Sequence, residues 1–149
     1  MREKSLPATV GVDHVGLSVR DLKKTVDFFC GCLEWTLVGE RPDYPAAFVS
    51  DQSTMITLWQ VTSPASAAPF DRKANVGLHH LALAVADRQS LDDLHAKVSG
   101  WAGVVTEFAP EMSGKGPKIH FMVREPSGLR IEFAYDPRLE AVRTAARTK

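Results

Sequence analysis

The strongest constraint on how this chain can fold is an internal repeat. The segment DHVGLSVRD at residues 13–21 returns as HHLALAVAD at residues 79–87. In this alignment His14 matches His80, at an offset of 66 residues. Because self-similarity at a fixed offset marks a duplicated supersecondary unit, the sequence predicts two copies of one motif.

Each copy has the pattern of a strand, a helix and three further strands. Alternating apolar residues predict strands at 12–19 and 78–86, and each is followed by an aspartate N-cap and apolar residues at helical spacing. We therefore predict a single α+β domain over residues 1–149, in which two βαβββ modules form a curved eight-stranded mixed sheet with the helices outside. Its parts are a first module at 12–61, a Ser-, Pro- and Ala-rich linker at 62–76, a second module at 77–135 and a C-terminal tail at 136–149.

The charge balance narrows the classes of partner. The chain has 18 Lys and Arg against 18 Asp and Glu, so it has no electrostatic attraction for nucleic acid or an anionic membrane. No segment approaches the roughly 20 apolar residues of a membrane span, and the N-terminus lacks the apolar core of a signal peptide. Cys30 and Cys32 lie two apart in a predicted helix and point away from each other, so we expect reduced thiols. These features predict a cytoplasmic protein whose partner is a small molecule.

Strand alternation assigns the two repeated histidines to equivalent faces. Side chains of a strand alternate between its two faces, so the larger apolar residues should cover the helices. His14 and His80 then lie on the opposite faces, among glycine, serine and alanine, with room for a ligand. The adjacent His79 has the other parity and is expected on the packing side.

The last predicted strand, PSGLRIEF at 126–133, adds a carboxylate to that face. Its apolar residues pack against the helix, so Glu132 faces the cavity, where a carboxylate is costly to bury unless it is paired or binds a cation. His14, His80 and Glu132 then form a 2-His-1-carboxylate set. Such a set can hold one divalent metal ion, whether Fe, Mn, Ni, Co or Zn, with positions left open for a substrate.

The motifs DHVGLSVRD, LHHLALAVAD and EPSGLRIEF resemble those of the vicinal oxygen chelate superfamily, across residues 12–135. That superfamily includes glyoxalase I, extradiol dioxygenases, fosfomycin-resistance thiol transferases, methylmalonyl-CoA epimerases and bleomycin-resistance proteins. The resemblance implies the glyoxalase/dioxygenase-like fold, with metal ligands on the first and last strands of each module; His14, His80 and Glu132 match three of these four places. It further implies a lyase, isomerase or ring-cleaving dioxygenase whose substrate binds the metal through two neighbouring oxygens, and a homodimer.

The fourth ligand place departs from the glyoxalase I pattern. Thr57 stands where glyoxalase I carries a second glutamate, and a hydroxyl cannot act as a carboxylate base. Gln60 has packing-face parity and could ligate only if a bulge shifted the register. A three-ligand site is more similar to the extradiol dioxygenases or the fosfomycin-type transferases. The sequence leaves open whether Thr57 or Gln60 fills the place.

Other residues complete the predicted site. His120 is the candidate catalytic acid–base group, although a histidine hydrogen-bonded at a strand edge would have the same pattern. Glu107 is a further possible base. The predicted substrate pocket comprises Thr57, Trp59, Met122 and Arg130. The rival function is a metal-free, ligand-sequestering protein of the bleomycin-resistance type, for which the three predicted metal ligands would have no use.

Overall fold

The computed structural model describes residues 6–147. Within them, the first module contains the strands β1 (His14–Val19), β2 (Thr36–Arg41), β3 (Ala46–Ser50) and β4 (Met55–Gln60). The second contains β5 (Leu81–Val85), β6 (Val105–Met112), β7 (Ile119–Arg124) and β8 (Arg130–Tyr135). The helices are α1 (Leu22–Val26), which continues as a π-helical segment (Asp27–Cys32), α2 (Arg88–Ser99) and α3 (Glu140–Arg147). Short 3-10 turns lie at Pro64–Ser66 and Pro137–Leu139.

The two modules have the same strand order. The sheets run β1-β4-β3-β2 and β5-β8-β7-β6. In each, the pair formed by the first and last strands of the module is parallel and the other pairs are antiparallel. The predicted α+β fold with two βαβββ modules is confirmed. Its strands are divided between two four-stranded sheets, because β1 and β5 each form the edge of their own sheet.

Equivalent aspartates begin the helices of both modules. The Asp21 side chain accepts a hydrogen bond from the backbone N–H of Lys24, and Asp87 accepts one from Ser90, at 3.1 and 2.7 Å. Each satisfies a backbone donor that the helix itself leaves unpaired. The start of α1 has a second cap, since Leu22 N–H donates to Gln60 Oε1 at 3.0 Å.

The apolar faces of the sheets pack against the helices as strand alternation predicts. On β1, Leu17 and Val19 are buried, whereas His14 and Ser18 are exposed. The core continues through both modules with Phe28, Phe29, Ile56, Leu58, Leu91, Phe121, Ile131 and Phe133. Each sheet is therefore left with one helix-free face, on which the predicted functional side chains lie.

The repeat continues ahead of the first strand of each module. VGVDH at 10–14 corresponds to VGLHH at 76–80, and Gly11 and Gly77 have φ of +139° and +155°, which L side chains rarely adopt. Val10 and Val76, which precede these glycines, are fully exposed. Val12 and Leu78, which follow them, are exposed to a large extent. Each module therefore exposes an apolar segment directly before its candidate histidine ligand.

A buried carboxylate joins the two modules. Glu125, only 1% exposed, accepts hydrogen bonds from Thr25 Oγ1 of α1 at 2.8 Å and from the backbone N–H groups of Ser127 and Leu129 at 2.8 and 3.1 Å. Burial raises the pKa of Glu125 above its usual value, against the opposing effect of these hydrogen bonds. The contact therefore depends on neutral donors alone.

Two further sequence expectations concern the thiols and the C-terminus. Cys30 and Cys32 are free thiols, and burial raises the pKa of both. The C-terminal tail, for which a short helix after Pro137 is expected, forms the 3-10 turn and then α3 (Glu140–Arg147). Among the helices of residues 6–147, none combines the length and the apolar character needed to cross a bilayer.

Replacing Glu125 with glutamine tests the cost of burying this carboxylate. A group whose pKa is raised by folding contributes stability that is present below its unfolded pKa of about 4.3 and lost as the pH rises through the folded pKa. The Glu125→Gln variant does not titrate and keeps an acceptor for both N–H groups. We expect the unfolding free energy of Glu125→Gln minus that of the parent protein to increase between about pH 4 and pH 8, as measured by urea denaturation.

Glu125→Ala is the matched control. It leaves the backbone N–H groups of Ser127 and Leu129 without their acceptor, whereas the Thr25 hydroxyl keeps Ser127 Oγ at 3.0 Å, so it should destabilise the protein by about 1–3 kcal/mol for each buried donor left unpaired. A difference between Glu125→Gln and the parent protein that stays constant with pH would contradict the argument.

Candidate metal centre

The helix-free face of the second sheet gathers two histidines around one carboxylate. Glu132, in the centre of β8, is only 5% exposed. Its Oε2 lies 3.0 Å from His80 Nε2, and its Oε1 lies 2.7 Å from His120 Nδ1. Lys118 Nζ is 3.7 Å from the same Oε1. The structure thus brings His80, His120 and Glu132 together, and His14, the other predicted ligand, is not among them.

His79 is also part of this cluster, contrary to the prediction that it lies on the packing side. β5 begins only at Leu81, so strand alternation does not apply to the two histidines before it. His79 is exposed, and its Nδ1 lies 2.8 Å from Nδ1 of His80. Partial desolvation and the positive charge of Arg130 lower the pKa of His79.

Arg130 is held by protein groups. Its side chain is 8% exposed, and Nε and a terminal nitrogen donate to the Glu107 carboxylate at 2.9–3.1 Å. The other terminal nitrogen lies 3.1 Å from His79 Nδ1 and donates to the His79 carbonyl at 3.3 Å. The hydrogen bonds from Arg130 hold the pKa of Glu107 below its usual range although partial burial opposes this shift. Glu107 is thus better suited to fixing Arg130 than to accepting a substrate proton.

His14 lies on the other sheet. It is the first residue of β1, its side chain is about half exposed, and its Nδ1 lies 2.6 Å from Asp13 Oδ2. No hydrogen bond or ion pair within residues 6–147 links it to His80 or Glu132. In this part of the chain, no group of three or more His, Cys, Asp or Glu residues could hold a metal ion.

The two candidates for a fourth ligand already have protein partners. Thr57 is buried, and its hydroxyl oxygen accepts a hydrogen bond from Trp59 Nε1 at 2.9 Å. The Gln60 side-chain oxygen accepts from the start of α1 and lies on the packing side, as its parity predicts. The register of β4 contains no bulge that would turn Gln60 around.

Aromatic rings cover part of the helix-free face of the first sheet. The Trp59 ring lies 5.1 Å from that of Tyr44 and 5.9 Å from that of Phe48, between centroids. Sequence reasoning identified Trp59 but missed its two neighbours. Strand alternation could have found Phe48, which pairs with Thr57, but Tyr44 lies in the turn before β3, where no periodicity operates. Met122, also predicted for the pocket, is buried beside Glu132 on β7.

The chemistry of the donors tests whether a metal fits. Nitrogen and oxygen ligands about 2.0–2.2 Å from a metal lie about 3 Å apart when they occupy adjacent positions. The 3.0 Å between His80 Nε2 and Glu132 Oε2 meets this requirement. These two residues fit adjacent positions on one metal ion, and by themselves they do not make a three-ligand site.

The chain belongs to the glyoxalase/bleomycin resistance protein/dioxygenase superfamily, whose family model matches residues 11–133. The fold is similar to a glyoxylase/bleomycin resistance protein/dioxygenase domain from Frankia sp. EAN1pec, with 23% identity, coverage of 87% of this chain and 99% of that one, and a TM-score of 0.74. Lactoylglutathione lyase from Agrobacterium tumefaciens has 16% identity, coverage of 87% and 96%, and a TM-score of 0.66. A glyoxalase family protein from Enterococcus faecalis has 19% identity, coverage of 84% and 97%, and a TM-score of 0.66. Comparison with curated proteins gave no significant match.

Arg130 and Arg124 both lie near the Glu107 carboxylate, which allows a matched test of the Arg130–Glu107 ion pair. Arg130→Gln would leave the mostly buried Glu107 without its main partner, and we expect a loss of about 3 kcal/mol of unfolding free energy. Arg124 is half exposed, with its Nε 3.8 Å from the same carboxylate, so Arg124→Gln should cost less than about 1 kcal/mol. Urea denaturation compares the two variants, and equal losses would be inconsistent with this assignment.

Proposed function

We propose that this protein is a metal-dependent enzyme that binds a small substrate through two neighbouring oxygens, with one divalent metal held by His14, His80 and Glu132. The observation that carries the proposal is the His80 Nε2–Glu132 Oε2 pair, 3.0 Å apart on the helix-free face. A buried carboxylate facing two imidazoles is an arrangement that a bound cation would stabilise. Iron, manganese, nickel, cobalt and zinc all suit this donor set.

The third ligand in this proposal is His14 from a second copy of the chain. His14 lies on the first sheet, and the apolar segments beside both candidate ligands are exposed in a single chain. A homodimer that joins the first module of one chain to the second module of its partner would cover Val10 and Val76 together. The same contact would complete the ligand set twice, as two-fold symmetry requires.

The residues around the metal would orient the substrate and move a proton. The bound metal would supply Lewis-acid stabilisation of negative charge on the substrate oxygens. An ionised Glu132 only accepts hydrogen bonds, so His120 donates through Nδ1 and keeps a lone pair on Nε2. His120 can therefore take up or return a proton at Nε2. Lys118 adds a positive charge on the same side of Glu132. This chemistry fits a lyase or isomerase, or a ring-cleaving dioxygenase.

Metal content tests the ligand set. Elemental mass spectrometry of the untagged, reconstituted protein should find about one equivalent of a transition metal per chain, as one three-ligand site requires. His80→Ala and Glu132→Ala should lose it, because each removes a donor. His95→Phe is the control, since His95 lies in α2, where its ring packs against Phe121 of β7 and away from the cluster. A folded parent protein without metal would overturn the proposal.

Mixed dimers test the origin of the third ligand. His14→Ala and Glu132→Ala chains are refolded together. If the site is shared between chains, each mixed dimer keeps one intact site. Random pairing makes about half of the dimers mixed, so we expect about a quarter of an equivalent of metal per chain. A site built within one chain leaves none. A monomeric parent protein by light scattering would contradict the shared site independently.

The reaction class is tested on the loaded enzyme. Protein loaded anaerobically with Fe(II) and then given a catechol and O₂ should form a yellow ring-fission product if it is a dioxygenase. Failure to do so would remove that option for the catechols tried and would favour the lyase or isomerase.

The aromatic cluster favours one rival function. Tyr44, Phe48 and Trp59 could sequester a flat aromatic compound without any metal, as in the bleomycin-resistance type. A folded protein that binds no metal, but whose tryptophan fluorescence is quenched by such a compound, would support the rival.

A further inference from the structure

A cavity of about 370 Å³, called here the linker cavity, lies between the first sheet and the segment that joins the two modules. On β1 it is lined by Gly16 and Ser18 of the helix-free face, whose small side chains leave the space open. The joining segment contributes Phe70 and residues 75–78, and the turn before β8 contributes Leu129. Its volume is within the range of small-molecule sites, about 300–1,000 Å³.

Arg20 is the one charged side chain among the described residues that line the linker cavity. It is partly buried, and its two terminal nitrogens donate to the carbonyls of Pro64 and Ala67 at 2.7 and 2.8 Å. A guanidinium has five N–H bonds, so three of them have no acceptor in these contacts. Within residues 6–147, no Asp or Glu forms an ion pair with Arg20. The linker cavity therefore contains a cation without a counter-charge.

The chemistry of Arg20 defines the group that it would bind. Its planar guanidinium matches the two oxygens of a carboxylate, and hydrogen bonds between ionised partners are about twice as strong as those between neutral ones. The carbonyls that Arg20 contacts are neutral, so a carboxylate would gain the stronger contact. Ser18 and Asn75 contribute only neutral polar groups to the lining, so neither repels an anion.

Much of the remaining lining is apolar. Val61 and Phe70 of the joining segment and Leu129 of the second module are each partly buried. Carbon atoms that contact these side chains leave water, which favours binding. The ligand that fits both parts of the lining has a carboxylate at one end and an apolar body at the other.

We propose that the linker cavity is a binding site for a small amphipathic carboxylate, whose charged end pairs with Arg20 and whose apolar body lies against the joining segment. The site is separate from the candidate metal centre, because none of its lining residues belongs to the cluster of His80, His120 and Glu132. It therefore does not rest on the proposed function.

Two ligands of equal length test the role of the charge. Octanoate and the neutral octanamide are titrated by calorimetry into the metal-free, full-length protein. We expect octanoate to bind at least about tenfold more tightly, because only its carboxylate forms charge-assisted hydrogen bonds with Arg20. Backbone ¹H–¹⁵N spectra locate the ligand, and the shifted amides should include Gly16, Ser18 and Gly77 of the lining.

Three variants test the residues of the site. Arg20→Gln should weaken octanoate binding at least about tenfold and leave octanamide binding nearly unchanged. Because Arg20 also holds the joining segment, Ser18→Leu is the second variant. It fills the linker cavity from an exposed position on β1 and should weaken both ligands. Arg41→Gln is the control, since Arg41 is exposed on β2 at the far edge of the same sheet, and affinity should stay within about twofold.

A preference for octanoate that is lost in Arg20→Gln, together with weaker binding in Ser18→Leu, would support the inference. It would be overturned by equal affinity for octanoate and octanamide, or by octanoate binding that Ser18→Leu leaves unchanged. The absence of octanoate binding at about 1 mM would also overturn it. The metal content of the protein bears on the proposed function alone.

Discussion

The alternation of side chains across a strand is the constraint on which the rest of this structure depends. Once Leu17, Val19, Ile131 and Phe133 are buried under the helices, their neighbours are directed to the helix-free faces. Glu132 therefore lies almost fully buried from solvent in the middle of β8, where its carboxylate requires polar or charged partners. His80, His120 and Lys118 supply them. The candidate site is therefore a consequence of how the core is packed.

Two buried carboxylates, Glu125 and Glu132, and the partly buried Glu107 illustrate three ways of stabilising such a group. Glu125 accepts hydrogen bonds from neutral donors only, and burial raises its pKa. Glu107 has a bidentate arginine, which keeps its pKa low. Glu132 faces imidazoles, whose charge and proton position can change. Glu125 is suited to holding the two modules together, and Glu107 to fixing the position of Arg130. Glu132 is suited to a site where a cation or a proton can be exchanged.

Sequence reasoning succeeded where a residue lies inside a regular element and failed just outside it. The βαβββ units, the buried faces and the helix-free position of Glu132 follow from the repeat and the two-residue period. His79 was misplaced because β5 begins at Leu81, three residues after the predicted start at residue 78, so the alternation of the strand does not extend to His79. The division of the strands into two sheets was not predicted, because the residue pattern of a strand does not specify which other strand pairs with its edge.

The sequence by itself determined the superfamily, the two modules and the residues available on their helix-free faces, because helix caps, turns and strand periods are encoded by residues close together in the chain. Only the tertiary structure decided which partners those residues have. The links from Arg130 to Glu107 and to His79 span 23 and 51 residues, and the link from Thr25 to Glu125 spans 100. Contacts at such separations are set by how the modules fold and pack together, and no local pattern records them.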